Sequence, residues 1–284
     1  MGGNSPLTNG LDLENPFGEL KASFRQRLTW QLCDWRVLPA RWRQKLRKRY
    51  ARKVRGPFDV TLQGMNYRLY PAENYCDRVI FGRGELPEPV EHQAIASLVK
   101  PGMVFVDIGA NVGSYSIFAG TLAHGDLTLI AFEPHPRTYQ KLISNLSFND
   151  LPTDNVHNCG ISGERDILQL WSDKGSNIGH TSMLKEGTSN AKISVDVPVV
   201  PLLEMLKKAD IQCVDLLKID IEGFEDRALA PFLKNAPTNF LPKHILIETS
   251  HADLWETDLM AMLDEHGYAV EFETAENQLL ALNH

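Results

Sequence analysis

Four acids stand at the ends of apolar runs. Asp107 closes Val104-Phe105-Val106, and Glu133 follows Leu127-Thr128-Leu129-Ile130-Ala131-Phe132. Asp220 follows Leu216-Leu217-Lys218-Ile219, and Glu248 closes His244-Ile245-Leu246-Ile247. Runs of this kind are buried strands, and in an open parallel sheet the carboxyl ends of the strands share one edge where ligands bind. Four carboxylates on one edge repel one another unless a cation or hydroxyl donors offset the repulsion. The group therefore marks a site for a cationic, hydroxyl-bearing ligand.

The turn after the first of these strands narrows the choice. It runs Asp107-x-Gly109-x-Asn111-x-Gly113, with a helix expected to start near Ser114. Glycine lets a ligand approach bare backbone and tolerates positive φ. A dinucleotide loop would run G-x-G-x-x-G, and the second half of that pattern is missing. A carboxylate at the strand tip also repels a pyrophosphate, whereas it attracts the cationic amino-acid end of S-adenosylmethionine. Glu133 lies 26 positions after Asp107, near the offset of about 20 at which an acid on the second strand accepts the ribose hydroxyls. The turn after a third strand near 155–159 is expected to meet the adenine edge, with Cys159, Gly160 and Ile161 as its candidates.

These residues need a scaffold, and the chain spells one out. From residue 101 onward strands and helices alternate, which predicts an α/β fold with a mostly parallel sheet and helices on both faces. Phe58 to Leu62 and Tyr67 to Tyr70 alternate about Gly64 as a hairpin, and Pro89 to Val99 forms a helix before Pro101-Gly102. A polar loop from Ser172 to Ser182, followed by an alternating strand from Ile193 to Val197, is an insertion that closes over a substrate or forms a surface hairpin. The expected division is a basic helical extension over 1–56, a hairpin and helix over 57–100, and a cofactor-binding domain over 101–284.

Taken together, Asp107-Ile108-Gly109-Ala110-Asn111-Val112-Gly113, Phe132-Glu133-Pro134, Lys218 to Glu225 and Ile247-Glu248 closely resemble the FkbM family of S-adenosylmethionine-dependent methyltransferases. The resemblance spans roughly residues 58 to 275. It implies a class I methyltransferase (Rossmann-like) sheet of seven strands, one of them antiparallel and placed near Gln278 to Ala281. It also implies O-methylation, commonly of sugar or polyketide hydroxyls, so the expected acceptor is a small molecule, a glycan or a glycolipid.

Carried over by position, Asp107, Gly109, Asn111 and Gly113 hold the methionine moiety and Glu133 the ribose. Methyl transfer needs a positioned acceptor and a base for its proton. Asp220 is the first choice for the base or for orienting the acceptor, with Glu222, Glu248 and His251 assisting. A sharper expectation follows from metal-dependent O-methyltransferases, which hold magnesium with acids at the ends of the fourth and fifth strands. Asp220 and Glu248 stand in similar places, and hard oxygen ligands suit that ion. Methylation of nucleic-acid bases is disfavoured, because Asp220-Ile221-Glu222-Gly223 stands where a Pro-Pro-aromatic tetrad would be expected. A protein of another class, a non-catalytic docking protein that keeps the fold, stays open at this point.

Composition bounds the remainder. The 284 residues are 43% hydrophobic and 23% charged, as in ordinary globular proteins, and no stretch approaches the roughly 18 apolar residues of a membrane span. Cys33, Cys76, Cys159 and Cys213 show no metal-ligand spacing. The first residues carry no charged-then-apolar signal pattern, and Pro6 stands where a myristoylation motif needs Ser or Thr, so a cytoplasmic protein is expected. Between Arg25 and Arg55 twelve basic residues face the single acid Asp34, a surplus of +11 in a chain of net charge −7, which leaves −18 for the remainder. Leu38, Trp42, Leu46, Tyr50 and Val54 recur there every four residues. Such a basic helix lies peripherally on the anionic inner face of a membrane or grips a phosphate-rich partner; otherwise the stripe packs on the main domain or on a second subunit. The oligomeric state is not legible.

Overall fold

The computed structural model describes residues 10–173, 181–184 and 191–283. Its N-terminal part comprises helices α1 (Phe24–Cys33) and α2 (Ala40–Arg49), the hairpin β1 (Phe58–Leu62) and β2 (Met65–Leu69), and helices α3 (Tyr75–Arg83) and α4 (Pro89–Ala96). Then follow β3 (Met103–Ile108), α5 (Ser114–Leu122), β4 (Leu127–Phe132), α6 (Pro136–Ser147) and β5 (Val156–His157). An inserted sheet consists of β6 (Gly160–Ile161), β7 (Asp166–Asp173), β8 (Thr181–Ser182) and β9 (Ala191–Val200). The chain ends on α7 (Leu202–Lys208), β10 (Leu216–Ile219), α8 (Glu225–Asn235), β11 (His244–Glu248), α9 (Leu259–Glu265), β12 (Tyr268–Glu273) and β13 (Asn277–Leu282).

The main sheet has seven strands in the order β12-β13-β11-β10-β3-β4-β5, and β13 runs antiparallel to both of its neighbours. The expected sheet and its antiparallel strand are thus present. Alternation along each strand sorts the core: Phe105, Leu129, Leu216 and Leu246 pack with Ile117 of α5 and Leu142 of α6. Val106, Ile130, Leu217 and Ile245 face the other way, against Leu206 of α7, Leu229 of α8 and Leu263 of α9.

Local readings needed three corrections. Gly160 and Ile161 are not a turn; they pair in parallel with Val199 and Val200 of β9. The strand expected near 155–159 shrinks to the two residues of β5, because the chain leaves the main sheet there to enter the inserted one. In the polar loop, β7 runs on to Asp173 and Thr181–Ser182 returns as β8, while residues 174–180 of that expectation lie outside the described residues.

The N-terminal part is fastened by buried charges. Arg68 is 2% exposed; its guanidinium bonds Asp59 at 2.8 Å and donates to the carbonyls of Asn15 and Pro16, tying the segment before α1 to the hairpin. Asp34, also buried, accepts from Arg47 of α2 and Arg83 of α3, both at 2.7 Å. Trp30 fills the gap between these elements and donates its indole N–H to the Val54 carbonyl at 2.9 Å. The four-residue stripe is split: α2 ends at Arg49, so Leu46 and Val54 pack against the core whereas Trp42 and Tyr50 are left half exposed.

Candidate functional site

The turn after β3 is folded back by its own backbone. The Gly109 and Ala110 N–H groups both donate to the Phe132 carbonyl at 3.0 Å, so the tips of β3 and β4 are held together. Gly109 has φ +77, and a Cβ there would lie 2.0 Å from the Asp220 carbonyl oxygen. Glycine is therefore required where this turn crosses the tip of β10. Asn111 adopts φ 51 and is held from two sides. Its N–H donates to Glu133 at 3.0 Å, and its side-chain oxygen accepts from Asn74, the N-cap of α3, at 2.7 Å.

Glu133 sits at the tip of β4, 5% exposed, with its second oxygen accepting the His135 N–H at 2.8 Å. Burial pushes its carboxyl up to about 7 against the pull of those two donors. Two backbone donors fix the carboxylate plane and leave further lone pairs free to take hydroxyls.

Asp107 does not face the pocket. It is fully buried, accepts the Ser116 hydroxyl at 2.6 Å and lies 3.7 Å from the Lys218 ammonium. The register explains the pair, since Lys218 of β10 stands directly beside Asp107 of β3. Lys218, itself buried, donates to the Gly109 carbonyl at 2.9 Å and reaches Asp220 at 3.6 Å. Burial raises the Asp107 pKa although Lys218 opposes it, while Asp220 and Asp107 hold the Lys218 ammonium charged against its own desolvation. The acid of the motif that spacing assigns to the ligand is thus one half of a buried ion pair under the loop.

The tips of β10 and β11 carry the remaining candidates. Glu222, at φ 58, opens a turn whose Ile221 and Gly223 N–H groups are gathered by Glu225 at 2.9 and 3.3 Å. Ser182 of β8 donates to the Glu222 carbonyl at 2.8 Å, so the inserted sheet is tied to this rim. The His251 Nε2 lies 3.3 Å from the Glu222 carboxylate. Burial, then the charges of Asp220 and Glu222, push Glu248 up to about 11. Glu248 is therefore a neutral carboxyl at physiological pH.

Of the expected magnesium pair, Asp220 lies 3.6 Å from the Lys218 ammonium. Among the described residues the metal-capable donors that converge are Glu222, Glu248 and His251, with atoms within 4.8 Å of one another. A set containing imidazole departs from the all-oxygen shell that magnesium prefers.

Between these tips lies a pocket of about 540 Å³, counting the space open to solvent. Gly109, Asn111, Glu133, Gly160, Asp220 and Glu222 line it on one side; Phe132, Pro134, Ile161, Leu170 and Met183 form an apolar wall. Gly113 has its left-handed backbone at the start of α5, and Cys159 packs in the core beside Ile161; neither lines the pocket. Three carboxylates and no basic side chain line it among the described residues. That donor set suits a cation bearing hydroxyls and opposes a phosphate.

One rim residue escaped the sequence reading. Glu88, in the left-handed region at φ 48, accepts the Tyr115 hydroxyl at 2.7 Å. Its carboxyl is raised to about 7, mainly by burial and then by Asp220. The signal was the sequence Pro87-Glu88-Pro89, in which two prolines stiffen the backbone around one acid.

Comparison with known proteins gives the family. The family model described as the Methyltransferase FkbM domain matches residues 107–270. The 31-O-demethyl-FK506 methyltransferase FkbM of Streptomyces tacrolimicus is 26% identical over 201 residues, which cover 62% of this chain and 76% of that protein. The methyltransferase sdnD of Sordaria araneosa is 26% identical over 200 residues, covering 60% and 75%. A crystal structure of a methyltransferase FkbM from Methylobacillus flagellatus KT superposes with a TM-score of 0.42 at 16% identity, over 90% of this chain. The chain spans 59% of the length of that structure.

Proposed function

The chain belongs to the FkbM methyltransferase family and is an S-adenosylmethionine-dependent methyltransferase of class I fold; from that premise we propose that it methylates a hydroxyl oxygen of a sugar, as a free glycan or a glycolipid. The observation that carries this reading is the acid-lined pocket, with no basic side chain among its described lining and the His251 and Glu222 pair beside Asp220. Carboxylates in fixed positions select acceptors by their hydroxyls. The relative from Streptomyces tacrolimicus bears a name that places its missing methyl on oxygen, which supports transfer to oxygen here.

When bound, S-adenosylmethionine supplies a methyl group activated by a sulfonium. Glu133 would hold its ribose hydroxyls, Gly109 and Asn111 its methionine end, and the wall of Phe132, Pro134, Ile161 and Leu170 its adenine. Asp220, 3.6 Å from the Lys218 ammonium, orients the acceptor hydroxyl. His251, its Nε2 aligned by Glu222 at 3.3 Å, takes the acceptor proton through that pocket-lining carboxylate. The protein would work at the cytoplasmic face of a membrane, as a peripheral enzyme.

Methyl-labelled S-adenosylmethionine offered with a panel of free and lipid-linked hexoses tests this reading. Label in an ether that survives alkali is the expected result; label on nitrogen or carbon overturns it. In the same assay, removal of divalent cations with EDTA leaves the rate within about twofold, whereas a Lewis-acid metal would be worth several kcal/mol.

The affinity of the cofactor depends on pH through Glu133. Its carboxyl titrates about 7 in the ligand-free protein, and the ionised form attracts a sulfonium and takes two hydroxyls. Calorimetric affinity therefore rises by about tenfold from pH 6 to pH 8 and levels off above pH 7, and Glu133→Gln flattens the dependence. The sign for stability is opposite. An acid raised above its unfolded value contributes stability at low pH that is lost as pH rises through about 7.

A further inference from the structure

Half of the large hydrophobic side chains that the described residues expose, seven of fourteen, fall between Phe24 and Tyr50. Four of them, Phe24 at 77%, Leu28 at 38%, Leu32 at 52% and Trp35 at 54%, recur every three or four residues along α1 and just past its end. That spacing places them on one face. The opposite face, Trp30 and Cys33, is already buried against the rest of the molecule. The helix therefore has two apolar faces and, among the described residues, a partner for only one of them. Val37, 75% exposed, and Trp42, 54% exposed, extend the open face toward α2.

Charge says what covers it. Arg25, Arg27, Arg41, Lys45 and Arg49 are exposed and have no carboxylate partner among the described residues. Asp34, the one acid in the segment, is buried and already bonded to Arg47 and Arg83. Lys45 lies 5.8 Å from the centre of the Trp42 ring and Arg49 5.5 Å from that of Tyr50. A cation beside an aromatic body is the arrangement that keeps charge at headgroup level while the ring sinks below it. Each helix has ten residues, and no helix of the described residues is long and apolar enough to cross a membrane. These helices lie on a bilayer rather than through it.

We infer that the α1–α2 face docks the protein on an anionic phospholipid bilayer, with Phe24, Leu28, Leu32 and Trp35 entering the acyl boundary and the arginines on the headgroups. Nucleic acid fits less well, since a row of Phe, Leu and Trp offers phosphates no hydrogen-bond donors. Pairing with the same face of a second copy would set a surplus of +11 against another.

The test is co-sedimentation of the full chain with phosphatidylcholine vesicles and with vesicles containing about one third phosphatidylglycerol. Binding to the anionic vesicles is expected to be at least about tenfold tighter and to weaken with salt. Phe24→Ser with Trp35→Ser should lower that binding by about tenfold or more. It should leave the melting temperature and the S-adenosylmethionine affinity unchanged, because both side chains are exposed. Equal binding to the two vesicle types overturns the inference, as does a double variant that binds vesicles like the wild type. It also fails if the double variant loses self-association or duplex RNA binding while vesicle binding is absent throughout.

Discussion

Lys218→Met is expected to lower the folding stability by about 3–5 kcal/mol, the cost of leaving a buried carboxylate without its partner. Lys218 is the buried cation beside Asp107 at 3.7 Å, and it also ties the Gly109 carbonyl at 2.9 Å. Methionine has nearly the same volume, so the loss is electrostatic rather than a cavity. Asp107 would be left with one hydroxyl donor, Ser116, and the Gly109 carbonyl with no ammonium. Urea denaturation followed by circular dichroism measures the loss. Adding Asp107→Asn to Lys218→Met should restore most of the stability, because removing both charges of a buried pair is far cheaper than removing one. A single variant as stable as the wild type would show that the pair does not hold the loop.

The second large effect is catalytic. His251→Ala is expected to reduce kcat by roughly 10²–10⁴-fold, the usual contribution of a positioned base, while the dissociation constant for S-adenosylmethionine stays within about twofold. The split follows from position: His251 touches Glu222, which lines the pocket, and is not itself among the lining residues. Glu222→Gln should fall between the two, since it keeps the shape of the group that aligns the imidazole but loses its charge. Stopped-time assays under saturating cofactor, paired with calorimetry, separate the effects. A His251→Ala variant with the wild-type kcat would move the proton to another acceptor on the rim, with Glu88 the nearest in chemistry.

What was legible in the sequence was whatever repeats along the chain. Apolar runs ending in acids marked the central strands and the rim, because buried parallel strands leave little choice of composition. Side-chain direction was harder. Asp107 was expected to face the ligand, yet Phe105 and Asp107 share one face of β3 and Lys218 is paired beside them. Only the register reveals that ion pair, and register is not written in either strand alone. Glu88 and Tyr115 stand 27 positions apart and meet only when α4 packs on α5. Gly160 and Ile161 line the pocket, but as a strand whose partner lies some forty residues on. The stripe from Leu38 to Val54 was visible as a pattern, whereas the division of its members between core and solvent depended on where α2 stops.

The contact between Asn74 and Asn111 couples two parts of the molecule that sequence divides. Asn74 caps α3, which packs along α1, and its amide holds Asn111 in a backbone conformation that non-glycine residues adopt at a cost. Any event at the N-terminal helices that shifts α3 therefore changes the free energy of the loop that receives the cofactor. By reciprocity, a filled pocket changes the free energy of that shift by the same amount. Occupancy of the pocket and the placement of α1 and α2 form one linked equilibrium, carried through the contacts of Asn111 with Asn74 and Cys76.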